Sequence, residues 1–453
     1  VSAASGLIAR LRGEAGEIVK LSFRADDTVN SVWTATKATV KEAMNDLYEA
    51  EITLLTSDLT AESTELLGAS CSLTWMRGDH ARYLHGIVDE VTSGVAGDET
   101  TDALTARIRL VPAFALLDLN KRTRVFNNRK LDVILNEMLK PELEAYGREF
   151  SFDVQRELPE YEYRTQYEES DLAFVRRLCG EEGLLFYFDH TGEAEKLCIA
   201  DDAGVYPPLE GANGQTLDYS EQAHTNEHDA ITRFQRLDRM QPTKLTLRMH
   251  DYTLSGDAIH LTESEPSGTA KSSSSGGAQV AIGASTGPVR EILEHDAQPI
   301  TFSSFSDNKF TKADIVEQLA HRRARAVQSA LVYTGVGTAA GLGPGTKFTL
   351  AEHPYALNGD YVVIEVEHDL DCGQGARTYD GAELSAQYTN RFKCVPAAVT
   401  YRAPRRDKPR VRGVMTGIVV GPKPGTHTDV RGRVRVKFHW DITTTSNETS
   451  ACF

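Results

Sequence analysis

No run of about 18 apolar residues occurs in this sequence, so no transmembrane helix is expected. The start, Val1 to Gly13, has no apolar stretch behind a basic one, so no secretory signal is expected there. Cysteine is scarce, at six in 453 residues, and no two lie in a C-x-x-C pair. That excludes zinc ribbons and thioredoxin-like motifs, and a chain this long builds cores without disulfide staples. The thiols of Cys71, Cys179, Cys198, Cys372, Cys394 and Cys452 are therefore expected to be free. H-E-x-x-H is absent, and no metal or other cofactor is expected. Positive charge is also short, with 49 Lys/Arg against 65 Asp/Glu and a net charge of −16, which argues against a nucleic-acid binder.

The charge is uneven. Residues 401–453 carry 11 Lys/Arg and 4 Asp/Glu, so +7, which leaves −23 for residues 1–400. A separate module or junction is expected after about residue 400. Its basic stretch holds Arg402, Arg405, Arg406, Lys408, Arg410 and Arg412, broken by Pro404 and Pro409, and reads as a linker docked on an acidic neighbour. The strand that follows alternates Arg431, Arg433, Arg435 and Lys437 with Gly432, Val434, Val436 and Phe438, one basic face and one apolar.

Residues 1–30 give no strong pattern. From residue 46, alternating stretches at 47–55, 71–75, 83–91 and 106–112, separated by Gly, Asp and Ser turns, predict a barrel or sandwich of short strands. Residues 113–210 change character. Leu131, Ile134, Leu135, Met138 and Leu139 share a helical face, with Pro141 as the expected stop. A second helix is predicted from Ser170 as N-cap, with Asp171 in its first turn and Gly183 past its end. Leu172, Val175, Leu178 and Cys179 face inward on it, and Arg176, Arg177, Glu181 and Glu182 outward. An apolar strand follows at 184–188. Residues 211–400 return to β structure, with strands at 244–249, 347–350 and 361–367 and a Ser/Gly-rich loop at 264–277. One long helix at 312–331 is expected to bury Val316, Leu319, Ala320, Val327 and Leu331, and a Gly-rich turn at 335–345 to follow it. From layout alone, tandem related barrels are the expected architecture.

Few residues carry a catalytic pattern. Gly283-Ala284-Ser285-Thr286-Gly287 matches the nucleophile elbow G-x-S-x-G, so a serine hydrolase using Ser285 is one alternative, which a fluorophosphonate probe would test. The match adjoins a Ser/Gly tract, where such pentapeptides arise readily. Histidines flanked by carboxylates, at His228, His295, His353 and His368, read as surface or turn residues, because neighbours on a strand point to opposite faces. Glu168-Glu169 and Glu181-Glu182 read as solvated charge.

Two long strings point elsewhere. Thr165-Gln166-Tyr167-Glu168-Glu169-Ser170-Asp171-Leu172-Ala173-Phe174 continues through Glu181-Glu182-Gly183 to Phe186-Tyr187-Phe188. It resembles the Q-Y-x-E-S-D-x-x-F…E-x-G-x-x-[YF]-x-F signature of the VgrG family, the type VI secretion system spike proteins related to phage tail hubs. Gly432-Arg433-Val434-Arg435-Val436-Lys437-Phe438-His439-Trp440-Asp441 is similar to the family's G-R-V-x-V-x-F-x-W-D. Shorter matches at 85–88, 124–126, 359–368 and 388–392 fall in the same order, so the resemblance spans about 40–453.

The resemblance implies a mainly β fold with an α+β insertion: tandem β-barrels of the phage tail-hub type followed by the start of an OB-fold. Its parts are a first barrel at 1–112, an α+β segment at 113–210, a second barrel region with one long helix at 211–400, and a connector with partial OB-fold at 401–453. It implies a non-enzymatic spike hub, a homotrimer assembled in the bacterial cytoplasm and exported through the contractile apparatus. The implied partners are an Hcp-like secretion-tube protein, a PAAR-like tip protein, the baseplate, and effectors or their adaptors. The hub of a phage tail or an extracellular contractile injection system is the nearest alternative. Structural or interface roles are expected for Tyr167, Ser170, Asp171, Phe174, Gly183, Phe186, Gly432, Trp440 and Asp441, with Tyr167, Phe174 and Phe186 packing a core. Arg322, Arg323 and Arg325 are expected at an inter-subunit or tube-facing charge contact. The sequence departs from the pattern at Ala451-Cys452-Phe453, where members continue Cys-Trp-x-Arg-Val, and in the loop 442–449, so the OB-fold is expected to be incomplete.

Overall fold

Six antiparallel strands open the chain: β1 (Glu17–Ala25), β2 (Thr34–Ala43), β3 (Glu49–Thr56), β4 (Ser70–Arg77), β5 (His80–Val95) and β6 (Leu104–Val111). The computed structural model describes residues 17–442, apart from 79, 96–102, 159, 212–213, 222–228, 251–259, 267–287, 297–311, 374–382, 422–427 and 429–431. Period-2 alternation fixes which face of each strand is buried: Ala50, Ile52 and Leu54 on β3, Cys71, Leu73 and Trp75 on β4, Ala106, Ile108 and Leu110 on β6. The first 30 residues are not patternless. Val19, Leu21 and Phe23 alternate inward along β1, with Lys20, Ser22 and Arg24 between them.

The next block comprises β7 (Lys121–Lys130), α1 (Leu131–Glu144), β8 (Glu149–Asp153), β9 (Glu160–Ser170), α2 (Asp171–Glu181), β10 (Leu185–Asp189) and β11 (Lys196–Ala200). β7 pairs with β9, and β10, β11 and β8 form a small mixed sheet. α1 does not stop before Pro141 but runs one turn past it. Leu143 extends the Leu135–Leu139 stripe by four residues and is 2% exposed, so its burial offsets the lost hydrogen bond.

The chain then adds β12 (Thr216–Tyr219), β13 (Ala230–Asp238), β14 (Lys244–His250), β15 (His260–Pro266), β16 (Glu291–Asp296), α3 (Lys312–Ala330), β17 (Leu331–Gly337), β18 (Lys347–Ala351), β19 (Gly359–Asp371) and β20 (Leu384–Pro396). Residues 264–266 belong to β15, and the rest of the Ser/Gly-rich stretch lies outside the described residues. The face that α3 turns inward is only partly the one expected: Leu319 and Leu331 are buried and Val327 is half-buried against the core, but Val316 and Ala320 are exposed, while Ile315, Gln318, His321, Arg322 and Gln328 are buried. Gln318, Arg322 and Gln328 on that face are hydrogen-bonded, which makes their burial tolerable. No described helix is long and apolar enough to cross a membrane. A final hairpin, β21 (Gly417–Val420) with β22 (Arg435–Phe438), follows an extended connector.

Twelve strands close in the order β1-β20-β17-β13-β12-β18-β19-β2-β3-β6-β5-β4, and β19 also pairs with β20 across the ring. That cross-pairing divides the ring into two barrels with a common hairpin. One is β1-β20-β19-β2-β3-β6-β5-β4, and the other is β20-β17-β13-β12-β18-β19. Residues 17–111 therefore supply six strands of the first barrel, and the last two come from residues 359–396. Both hairpin strands are 13 residues long, about 43 Å at about 3.3 Å per residue, enough to pass from one barrel into the next. The outer edge of β19 pairs with β18 at 359–362 and with β2 at 365–371, and that of β20 pairs with β1 at 384–388 and with β17 at 390–394. A β-bulge between Val363 and Glu365 marks the changeover. There Tyr361, Val362, Val363 and Ile364 are all buried: Tyr361 and Val363 face the second barrel's core, Val362 and Ile364 the core shared with β10 and β11.

A polar layer lies between the two barrel cores. His368 and Asn390 stand opposite each other in the hairpin, both 0% exposed. The Tyr388 hydroxyl lies 2.8 Å from His368 Nδ1 and accepts from Asn390 Nδ2 at 3.0 Å, and Asn390 Nδ2 also donates to the Ala339 carbonyl at 2.8 Å. Buried Glu42 accepts both hydrogen bonds from Arg82 Nη2, at 2.8 and 3.0 Å. His368 is thus an interior residue, not the surface histidine expected from its carboxylate neighbours; bonded partners make that burial possible. The described cysteines Cys71, Cys179, Cys198, Cys372 and Cys394 are free.

The Gly-rich turn expected at 335–345 begins later than expected, because Gly335 and Gly337 lie in β17. Gly335 faces Phe392 directly across the β17–β20 pair, and a Cβ there would stand 2.2 Å from the ring. The ring covers the bare backbone and is itself packed against Phe348 and Phe234. Gly335→Ala is accordingly expected to lower unfolding free energy by about 1–3 kcal/mol in urea denaturation; an unchanged midpoint would show that the ring has room to yield.

Candidate functional site

The signature helix α2 is fixed at both ends by its own sequence. Ser170 Oγ accepts from the Ala173 N–H at 3.1 Å and donates to Asp118. Gly183 ends the helix at φ +64°, and the Leu184 N–H bonds back to the Cys179 carbonyl at 2.9 Å. Glycine is needed there twice over, because a Cβ would also stand 2.7 Å from the His321 ring of α3.

Before the helix, two residues of β9, Tyr167 and Glu168, oppose the single residue Thr123 of β7. Glu168 takes φ +47°, and its N–H donates to Thr123 Oγ1 at 3.0 Å. This bulge re-aims the strand. Gln166 turns fully inward, and Tyr167 turns towards Trp440, with ring centres 6.0 Å apart. Trp440 stacks on Phe438 at 5.2 Å. The two family strings, some 270 positions apart in sequence, therefore meet at one aromatic contact.

Beneath the bulge lies a lattice of buried ions. Asp171, 1% exposed, accepts from Gln166 Nε2 at 2.7 Å and Arg124 Nη2 at 3.0 Å. Arg177 donates to Glu169, to Glu181 at 3.1 Å and to the Thr165 carbonyl at 3.0 Å. Arg164 donates to Glu181 at 2.5 Å and lies 3.8 Å over the Tyr161 ring, and the Tyr161 hydroxyl donates to Glu182. Arg156 joins Glu182 at 3.1 Å to Glu317 of α3 at 2.5 Å. The expectation that Arg177, Glu181 and Glu182 face solvent is corrected: all three are buried, because each has an opposite charge within reach. Burial pushes the Glu181 carboxyl up, but Arg164, Lys408 and Arg177 outweigh it and hold it down at about 2. Glu42 is also held at about 2, burial opposing and Arg82 leading the groups that lower it. Burial drives His190 down to about 3; Glu42 opposes this, and Arg82, His85 and Arg148 reinforce it.

The other expected residues fall as follows. Phe174 stacks on Phe126 at 5.6 Å, and Phe186 meets Phe114 edge-on at 5.9 Å; both are buried in the core. Arg322 bonds Glu294 at 2.6 Å and the Gln318 carbonyl at 3.0 Å. Arg325 bonds the carbonyls of Ala403, at 2.8 Å, and Gly180. Two of the three arginines expected at an external contact are thus engaged inside the chain, and Arg323 is half-buried on the same helix. Gly432 takes φ +80° ahead of β22, and Asp441 is buried. Ser285 and its pentapeptide lie outside the described residues. Sequence reasoning missed Asn45, Arg156, Arg164 and Gln328; isolated polar residues far apart in the chain leave no periodic signal.

Among the described residues, no group of three or more His, Cys, Asp or Glu is placed to hold a metal ion. An open groove of about 370 Å³ crosses the outer face of the second barrel, lined by Arg233, Gln235, Glu365, Glu367, Arg391 and Lys393. Its charges largely pair with one another, Lys393 with Glu365 at 2.8 Å and Arg391 with Glu367 at 3.6 Å.

The buried titrating groups set the response to acid. His190 is held neutral, so its contribution is complete above its unfolded value of 6.5 and is lost as pH falls from there towards about 3. Glu181 and Glu42 contribute above 4.5 and lose that as pH falls towards about 2. Calorimetry across pH is expected to show a melting temperature that declines below 6.5 and more steeply below 4.5. A melting temperature constant from about pH 7 to about pH 4 would contradict this assignment.

Residues 41–374 match the family described as phage tail baseplate hub (GPD). The chain is 31% identical over 381 residues to the type VI secretion system spike protein VgrG4b of Pseudomonas aeruginosa, covering 82% of this chain and 43% of that protein. It is 27% identical over 412 residues to the spike protein VgrG3 of Vibrio cholerae, covering 90% of this chain and 37% of that one. The chain thus spans less than half the length of these two relatives. Among solved structures, it matches an E. coli component of the type VI secretion system described as similar to the bacteriophage T4 tail proteins gp27 and gp5. That match has TM-score 0.63 and 16% identity and covers 95% of this chain and 92% of that one. It supports the tail-hub fold, and nothing in these likenesses supports a serine hydrolase. With the match covering most of its length, the chain belongs to the phage tail baseplate hub family.

Proposed function

We propose that this chain is the hub portion of a type VI secretion spike, a non-enzymatic homotrimer seated on the secretion tube. The observation that carries the reading is the pair of closed barrels sharing one hairpin. Three such chains place six barrels in a ring, which suits a sixfold tube made of an Hcp-like protein. Catalysis needs a pocket with convergent polar groups; a spike needs a body that survives translocation. A rigid seam between barrels and a lattice of buried ions supply that body.

On this reading a PAAR-like tip protein, the baseplate, and effectors or their adaptors are the remaining partners. Assembly takes place in the cytoplasm and export follows through the contractile apparatus. A phage tail or extracellular injection hub is the second reading, favoured by the name of the matched family. Light scattering on the full-length protein tests the trimer: a mass of three chains is expected, whereas a single-chain mass would remove the spike reading.

A further inference from the structure

The connector after β20 is bound like a peptide ligand. The Tyr401 N–H donates to Tyr206 Oη at 3.0 Å, and the Tyr401 carbonyl accepts from Asn45 Nδ2 at 2.8 Å. Gln328 engages the next residue at both ends: Arg402 N–H donates to its Oε1 at 2.8 Å, and the Arg402 carbonyl accepts from its Nε2 at 3.0 Å. The Ala403 N–H donates to the Leu184 carbonyl at 2.7 Å, and the Ala403 carbonyl accepts from Arg325 Nε at 2.8 Å. All six backbone polar groups of residues 401–403 are therefore satisfied, by five residues from four separate parts of the molecule. Ala403 is 1% exposed. A Cβ on Gly180 would stand 2.3 Å from the Pro404 carbonyl, so the connector is pressed against bare helix backbone. Arg402 and Arg405 anchor the flanks, on the Gly183 carbonyl at 2.6 Å and on Glu294 at 2.8 Å.

We propose that residues 401–405 form a fixed strap, and that the cleft between α2, α3 and β10 is a peptide-binding site whose occupant is this chain's own connector. Gln328, Asn45 and Arg325 are its positioning residues. Full backbone satisfaction sets the register of the strap to a single residue, because a slip by one would leave buried N–H and C=O groups unpaired. The strap fixes the point from which the chain leaves the hub for β21 and β22, so force on those strands reaches the hub at α2 and α3. The mechanical role rests on the spike reading; the strap itself does not.

Limited trypsin digestion of the full chain, read by mass spectrometry, tests the strap. Proteolysis at a bond follows its local opening, so Arg410–Val411 and Arg412–Gly413 are expected to be cut at least about tenfold faster than Arg402–Ala403. In Gln328→Ala, which removes both bonds to Arg402, the gap should shrink to less than about threefold. Gly180→Ala displaces the strap from the opposite side and should act alike, while favouring the helix. Comparable cutting at Arg402 and Arg412 in the native chain overturns the proposal, as does protection that persists in both variants. Should a variant unfold, seen as cuts inside β20, the native-chain comparison decides alone. Loss of the strap would leave family membership and trimer mass untouched, so the two failures are distinguishable.

Discussion

Pairing of β19 with β20 is the constraint on which the rest of the molecule depends. Ten residue pairs join the two strands, and each strand then spends half of its outer edge on one barrel and half on the other. Neither barrel closes without both strands. A barrel that loses one strand exposes two edges, with unpaired backbone groups on each. The bulge at Val363/Glu365 is the device that allows one hairpin to serve two barrels, because it changes which residues face inward midway along β19.

Among the described residues, two networks of buried polar groups sit at junctions. His368, Asn390, Glu42 and Arg82 form one, bonded to Tyr388 of the first barrel's core, and Arg156, Arg164, Glu181 and Glu182 form the other, joining α2 to β9 and α3. Buried ion pairs contribute little net stability against apolar replacements, but breaking one costs about 3–5 kcal/mol. Their effect here is to fix geometry: each junction has one arrangement that satisfies its charges. On the proposed spike reading, a body that transmits axial load needs that property more than it needs extra stability.

Much of this was legible in the sequence where burial has one period. The strands β3, β4 and β6 alternate cleanly, and α2 is announced by Ser170 and Gly183. The tandem barrels and the family followed from those elements and the two strings. Legibility failed where polar residues go inside. Arg177, Glu181 and Glu182 read as a solvated face because the partners Arg164, Tyr161 and Arg156 lie in another element. α3 misled for the same reason, its buried face being partly His321, Arg322 and Gln328. The hairpin's double membership has no local signature, since it depends on which strands arrive at each edge.

Native-state hydrogen exchange resolved by residue tests the shared seam most directly. The account predicts that amides of 365–371 and 390–394, which serve different barrels, exchange with the same, highest opening free energy and the same denaturant dependence. Exchange of the second barrel's amides through a separate, lower-energy opening, with the first barrel's protection intact, would contradict it.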